Sequence, residues 1–220
     1  MIDFKKIYLL LFVVISIFFI TGCTNENLNI ENKINAEIDF CENRILVFLK
    51  NCEYDEYMKD GNLDWESILN STKDFTNCFP TIEADLSYVK YDNIKIEEIK
   101  TILQNINNYA ENKDLNKLKV EYGNLYLKTN SIKIDKNKAL KNKCMQIYIS
   151  ALTENKDQCN LEISDLEKEF DNAKKDNNFL ETNKFSLNKI QNNILDIKSA
   201  LELGEFTKIV THSLKIIEIM

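Results

Sequence analysis

The sequence predicts an all-α protein, an antiparallel bundle or short array of seven to nine helices. After residue 33, apolar residues recur at intervals of three and four along most of the chain, which is the period of one helix face. No stretch of four or more residues alternates in the way that predicts a strand. One proline and four glycines in 220 residues also argue against a turn-rich β sandwich.

The first predicted helix begins at about residue 33 and has a single apolar face. Its apolar positions step by 4, 3, 4, 3 and 4 residues: Ile34, Ile38, Cys41, Ile45, Phe48 and Cys52. The run Asp60-Gly61-Asn62 predicts a stop, because Gly and Asn adopt the left-handed conformation that closes helices.

Two shorter helices are predicted next. Asp64 is placed to cap the first of them and Pro80 to end it, because proline cannot donate a helical hydrogen bond. A short third helix is expected over 81–88, with a turn at 92–93. The apolar positions of the second helix are Trp65, Ile68, Leu69, Phe75 and Cys78.

The remaining helices repeat the same spacing. Asp114 is placed to cap one of them, and Gly204 to end the one before last. Their apolar positions are Ile96, Ile99, Leu103 and Ile106; Leu115, Leu118, Tyr122, Leu125 and Tyr126; Leu140, Cys144, Ile147 and Ala151; Ile163, Leu166, Phe170 and Ala173; Leu187, Ile190, Ile194, Ile197 and Leu201; and Phe206, Ile209, Ser213, Ile216 and Met220.

The N-terminus reads as a targeting segment. Lys5 and Lys6 precede an apolar run over 7–20 that only Ser16 interrupts. A membrane-spanning helix needs roughly 20 apolar residues, so this run is short for a span and of the right length for a secretory signal.

The residues that follow, Ile20-Thr21-Gly22-Cys23, resemble the bacterial lipobox. The resemblance implies diacylation of the Cys23 thiol, cleavage between Gly22 and Cys23, and acylation of the new amino group. The implied organisation is a removed signal peptide over 1–22, a lipidated cysteine with a flexible polar tether over 23–32, and a helical domain over 33–220. Two or more acyl chains hold a protein stably on a bilayer. The alternative is an uncleaved anchor helix with an incidental cysteine.

Composition and motifs argue against several classes of function. A net charge of -7 and a pI near 5.0 disfavour sequence-independent nucleic-acid binding. The motifs GxSxG, HExxH, GxGxxG and the P-loop do not occur, and neither does CxxC. The single histidine, His212, lies at the edge of the apolar stripe of the last helix and is interpreted as structural. We therefore expect no enzymatic activity, no metal and no cofactor.

Five cysteines remain after Cys23, and two interpretations stay open. They are Cys41, Cys52, Cys78, Cys144 and Cys159. In one interpretation disulfides join Cys78 to Cys41 or Cys52, and Cys144 to Cys159, since export permits them. Cys41 and Cys52 cannot pair with each other, because eleven residues of helix separate them by about 16 Å. In the other, all five are small buried hydrophobic residues.

The anchor, the tether and the acidic Lys/Asn/Ile-rich helices together resemble the plasmid-encoded helical surface lipoproteins of Borrelia. That resemblance implies a non-enzymatic binding protein at the outer membrane or cell surface, with host proteins as partners in adhesion or immune evasion. The five cysteines of the mature chain depart from most of those proteins. The alternative is a scaffold lipoprotein that faces the periplasm. For that alternative, 203–219 is similar to the middle of a tetratricopeptide repeat, although Ile209 stands where that family has Ala, which favours an ordinary helix hairpin.

Aromatic residues in the N-terminal third are the candidate partner contacts, because Tyr and Trp are enriched at binding hot spots. They are Tyr54, Tyr57, Trp65, Tyr88 and Tyr91. Core packing is the other role that the sequence allows them, and it is the one that we favour.

Overall fold

The computed structural model describes residues 30, 32–54, 57–59, 62–132 and 138–220, and helices dominate them. The predicted all-α fold class is confirmed. The predicted signal peptide, the lipobox with Cys23 and most of the tether lie outside the described residues. Within the described part, no helix combines the length and the apolar character needed to cross a bilayer.

Helix α1 spans residues 32–53. A small hairpin follows, in which β1 (Met58–Lys59) pairs antiparallel with β2 (Asn62–Leu63). The other helices are α2 (Trp65–Thr76), α3 (Phe79–Tyr88), α4 (Asn93–Glu111), α5 (Leu115–Ile132), α6 (Lys138–Leu152), α7 (Lys156–Ala173), α8 (Asn177–Thr182), α9 (Leu187–Leu203) and α10 (Phe206–Ile219).

The predicted N-terminal caps at Asp64 and Asp114 and the predicted C-terminal stop at Gly204 are confirmed. The Asp64 carboxylate accepts a hydrogen bond from the backbone N–H of Ser67 at 3.1 Å, and Asp114 accepts one from the N–H of Lys117 at 3.1 Å. Each bond satisfies an N–H that the first helical turn leaves without a partner. Gly204 closes α9 with φ 72°, the left-handed region that favours glycine.

Pro80 has a different role from the one predicted. Helix α2 already ends at Thr76, and Pro80 lies in the first turn of α3. The first helical turn suits proline because its N–H groups have no helical partner there. The prediction that Pro80 ends the second helix is therefore wrong, and Cys78 precedes α3 instead of lying inside α2.

Consecutive long helices pack antiparallel. Between α4 and α5, Lys128 contacts Glu98 at 2.6 Å while Asn105 contacts Glu121 at 3.3 Å, so residue numbers rise on one helix as they fall on the other. Short turns impose this arrangement, as expected for helix hairpins. The buried faces merge into one core that contains the predicted apolar face of α1.

Gly123 brings α5 and α6 close together. A Cβ at this buried position would lie 2.8 Å from Cγ1 of Ile149 on α6. Contacts this short do not occur between carbon atoms, so any larger residue would push the side chain of Ile149 aside. Gly123 lies inside α5, where its missing side chain permits this close packing.

Candidate binding surface

Helix α1 and Tyr54, the residue that follows it, carry a second stripe that is mainly apolar and points away from the core. We call it the outer face of α1 and define it by five exposed residues: Ala36, Phe40, Asn43, Val47 and Tyr54. The exposed fractions of its three large members are 52% for Phe40, 55% for Val47 and 45% for Tyr54. The guanidinium carbon of Arg44 lies 5.4 Å from the centre of the Phe40 ring, a cation–π contact that orders both side chains.

A groove runs along each side of this face. The first lies between α1 and α3, has a volume of about 490 Å³ and is mainly apolar, with Phe40, Cys41 and Ile82 in its wall. The second lies between α1 and the end of α10 and has a volume of about 620 Å³. Charged groups line the second groove, including an ion pair of 2.6 Å between Lys50 and Glu218. A partner seated on α1 would therefore meet an apolar groove on one side and a charged groove on the other.

The five aromatic residues predicted as contacts do not form one surface. Tyr57 packs against the core: its ring centre lies 5.6 Å from that of Phe48, and its hydroxyl donates to Oγ of Ser71 at 3.3 Å. Trp65 and Tyr91 are also partly buried against the core. Only Tyr54 and Tyr88 are exposed, with 45% and 63% of their surface accessible.

Tyr54 lies at the C-terminal end of α1, whereas Tyr88 ends α3 close to the N-terminal end of α1. Lys33, at the start of α1, forms an ion pair of 2.6 Å with Asp85, one helical turn before Tyr88. Tyr54 follows the last residue of α1, so about 30 Å of helix separates it from Lys33. The two exposed tyrosines thus belong to different surfaces.

Substituting the two neighbouring tyrosines should separate packing from surface exposure. We expect Tyr57→Ala to lower the free energy of unfolding by about 1–3 kcal/mol, because it removes an aromatic contact and a hydrogen bond. Tyr54→Ala should change it by no more than about 0.5 kcal/mol, as for most exposed positions. Urea denaturation followed by circular dichroism measures both values. Equal losses in the two variants would contradict the assignment of Tyr57 to the core.

All five described cysteines are thiols. Cys41 and Cys78 line the same apolar groove, whereas Cys52 lies near the far end of α1 beside Glu53 and Lys119. Of the two pairings predicted for Cys78, the structure brings together the one with Cys41. The pKa of the Cys41 thiol rises to about 12, first because of burial and second because of the neighbouring Cys78. The disulfide itself stays a prediction.

The helix register does not bring Cys144 and Cys159 together. Ser150 of α6 donates to Glu162 of α7 at 2.8 Å, and Lys143 contacts Asp165 at 3.2 Å. These contacts place Cys159 level with residues near 151, which is about 10 Å along the axis from Cys144. A disulfide spans no more than about 7 Å between Cα atoms. Burial raises the pKa of both thiols, that of Cys159 to about 11.

His212 has a structural setting. Its Nδ1 atom lies 2.7 Å from Oδ1 of Asn193 on α9, and Oδ2 of Asp196 lies 3.6 Å away. Burial, and next the nearby Lys215, lower the pKa of the imidazole, so it is neutral at pH 7. No group of three or more His, Cys, Asp or Glu side chains that could hold a metal occurs among the described residues.

Sequence reasoning missed two features of α1. Phe40 and Val47 lie on a stripe with the same helical spacing as the core stripe of α1, so the sequence does not tell which of the two stripes is buried. The second feature is a buried cluster in which Nζ of Lys119 lies 2.6 Å from Oε1 of Glu53, and the Tyr148 hydroxyl donates to the same oxygen at 3.0 Å. This cluster fixes the end of α1 to α5 and α6, and nothing local in the sequence announces it.

The described residues thus define an all-α helical array whose first helix presents an exposed apolar face between two grooves. Comparison with models of known protein families, with curated proteins and with solved structures gives no match.

Proposed function

We propose that this protein is a non-enzymatic binding protein of a bacterial cell envelope, anchored through lipid on Cys23 and displayed at the outer surface. The anchor is supported by the lipobox-like residues Ile20 to Cys23. The binding role rests on one observation, the exposed outer face of α1. Exposed apolar side chains gathered on one surface are typical of protein interaction sites.

The chemistry of the outer face suits a protein partner. Phe40 and Tyr54 offer aromatic surface, and the guanidinium group of the partly exposed Arg44 lies over the Phe40 ring. Aromatic residues and arginine supply most hot-spot energy at protein interfaces. The two grooves would receive side chains of the partner on either side of the helix. The proposed partners are host serum or matrix proteins.

The non-enzymatic part of the proposal is supported by the state of the nucleophilic and basic groups. Burial raises the pKa of Cys41 and Cys52 to about 12, so both thiols are protonated and unreactive at pH 7. The ring of His212 contacts Asn193 and Asp196, and neither contact brings it to one of these thiols.

A paired substitution tests the outer face. We expect Phe40→Ser combined with Val47→Ser to weaken binding of a captured host protein at least about tenfold, since loss of a hot spot costs more than about 1.4 kcal/mol. The matched control is Leu161→Ser with Leu195→Ser, which removes two leucines that are 63% and 52% exposed on other helices. Binding is measured on intact cells that display equal amounts of each variant. Equal binding by both double variants would overturn the assignment of the outer face.

The location is tested separately. Growth with labelled palmitate should label the protein, and Cys23→Ser should abolish the label. Protease treatment of intact cells should remove the protein if it lies on the surface. Survival under protease, with release only after the outer membrane is opened, would instead indicate the scaffold lipoprotein that faces the periplasm.

A further inference from the structure

The turn between α3 and α4 has an unusual surface for an acidic domain. Tyr88 is 63% exposed and Ile94 is 71% exposed, and Lys90 and Lys95 lie between or beside them. The turn is closed by a hydrogen bond from the N–H of Tyr91 to the carbonyl of Leu86 at 2.9 Å. An aromatic ring, a large aliphatic side chain and two lysines are therefore presented together on an ordered turn.

This turn lies at the end of the domain to which the proposed anchor is attached. Lys33, the second residue of α1, forms its 2.6 Å ion pair with Asp85, so the end of α3 lies beside the start of α1. Eight residues, 24–31, lie between Cys23 and the start of α1 at residue 32, which makes nine backbone steps. At about 3.3–3.6 Å per residue, that length spans at most roughly 30 Å. A lipid anchor at Cys23 would thus be attached to this end of the domain, while the end with Tyr54 lies about 30 Å of helix further from the attachment point.

The charges around the turn favour a lipid surface more than the net charge of the chain suggests. Glu98 is paired with Lys128 at 2.6 Å, and Lys100 is shared between Glu97 at 2.8 Å and Glu83 at 2.6 Å. Asp92 accepts a hydrogen bond from the N–H of Ile94 at 2.9 Å and caps α4. The turn itself contributes Lys90 and Lys95 against this one carboxylate, and Nζ of Lys95 lies 5.6 Å from the ring centre of Tyr91.

We propose that the α3–α4 turn is a membrane-contact surface that seats the anchored domain on the lipid leaflet. Tyrosine rings settle at the level of the lipid headgroups, and lysines extend their charge toward anionic phosphates while their stems lie on apolar surface. Ile94 would reach the boundary of the acyl chains. The inference rests on the proposed anchor at Cys23. It orients α1 so that its far end, with Tyr54, points away from the membrane toward a partner.

Tryptophan substitution tests this contact on the full chain, expressed with its own lipid modification and reconstituted in vesicles of phosphatidylcholine and phosphatidylglycerol. Tyr88→Trp places a probe in the turn, and Tyr54→Trp is the matched control at the other end of α1. The wild type, whose single Trp65 is partly buried, gives the background emission. We expect brominated phosphatidylcholine to quench the emission of Tyr88→Trp and to leave that of Tyr54→Trp at the background level. Ile94→Trp should be quenched as well.

Flotation of the vesicles tests the lipid anchor separately from the membrane contact of the turn. A chain that does not float with the vesicles overturns the anchor and this inference together. A chain that floats while Tyr88→Trp and Ile94→Trp show no more quenching than Tyr54→Trp overturns the membrane contact alone and leaves the anchor standing. That second outcome would show the turn to be open to water or to a protein partner.

Discussion

Lys119→Met should lower the free energy of unfolding by about 3–5 kcal/mol, the loss expected when one partner of a buried ion pair is removed. Nζ of Lys119 lies 2.6 Å from Oε1 of Glu53, and the two side chains are only 12% and 7% exposed. Without the lysine, the Glu53 carboxylate would lose its counter-ion in a place that water barely reaches. The hydrogen bond from Tyr148 would compensate only part of that cost.

A double substitution is the control for this prediction. Glu53→Met combined with Lys119→Met removes both charges, so it should restore most of the stability lost in the single variant. Adding Tyr148→Phe removes the hydroxyl that would otherwise lack its acceptor. Urea denaturation of the chain from residue 24 gives the free energies of unfolding of the wild type and of the three variants. A loss of less than about 1 kcal/mol in Lys119→Met would show that the pair behaves like an exposed salt bridge.

This cluster matters for function because it attaches α1 to the rest of the domain. Glu53 is the last residue of α1, while its two partners lie on α5 and α6. If α1 presents the binding surface, loosening this end should also weaken binding, even though no residue of the cluster belongs to the outer face. The double variant separates the two effects, since it should retain the position of α1.

The sequence predicted the helices well because the three-and-four spacing of apolar residues dominates it. Residues such as Ile34, Ile38 and Ile45 are buried where the three-and-four spacing places them. Capping depends on a few neighbouring residues, so the sequence could predict the capping roles of Asp64, Asp114 and Gly204. Pro80 was misread because proline fits both the residue after a helix and the first turn of the next one.

The candidate surface was harder to predict than the fold. Phe40 and Val47 follow the same spacing as the core residues of α1, so apolar character alone does not tell which stripe is buried. The role of Tyr57 depends on Phe48 and Ser71, which its own segment does not specify. Glu53 and Lys119 are 66 residues apart, and only the packing of α1 against α5 brings them together. Contacts made across the fold leave no periodic trace in the sequence.

Tyr122 joins α1 to the core from the other side, and its removal should be as costly as the loss of Lys119. The ring is 1% exposed, its centre lies 4.0 Å from that of Phe48 on α1, and Phe75 of α2 packs against its edge at 5.8 Å. The hydroxyl donates to Oγ1 of Thr72 at 3.3 Å. Burial raises the pKa of this hydroxyl, so it stays protonated and continues to donate.

We expect Tyr122→Ala to lower the free energy of unfolding by about 3–5 kcal/mol, because it leaves a cavity where three aromatic rings meet. Tyr122→Phe keeps the ring and should cost only about 0.5–1.5 kcal/mol, the net value of the hydrogen bond to Thr72. Urea denaturation of both variants, read against the wild type, measures the difference. If the two substitutions cost the same, the hydrogen bond to Thr72 on α2 would account for the whole loss, and the aromatic contact with Phe48 on α1 would lose the role assigned to it.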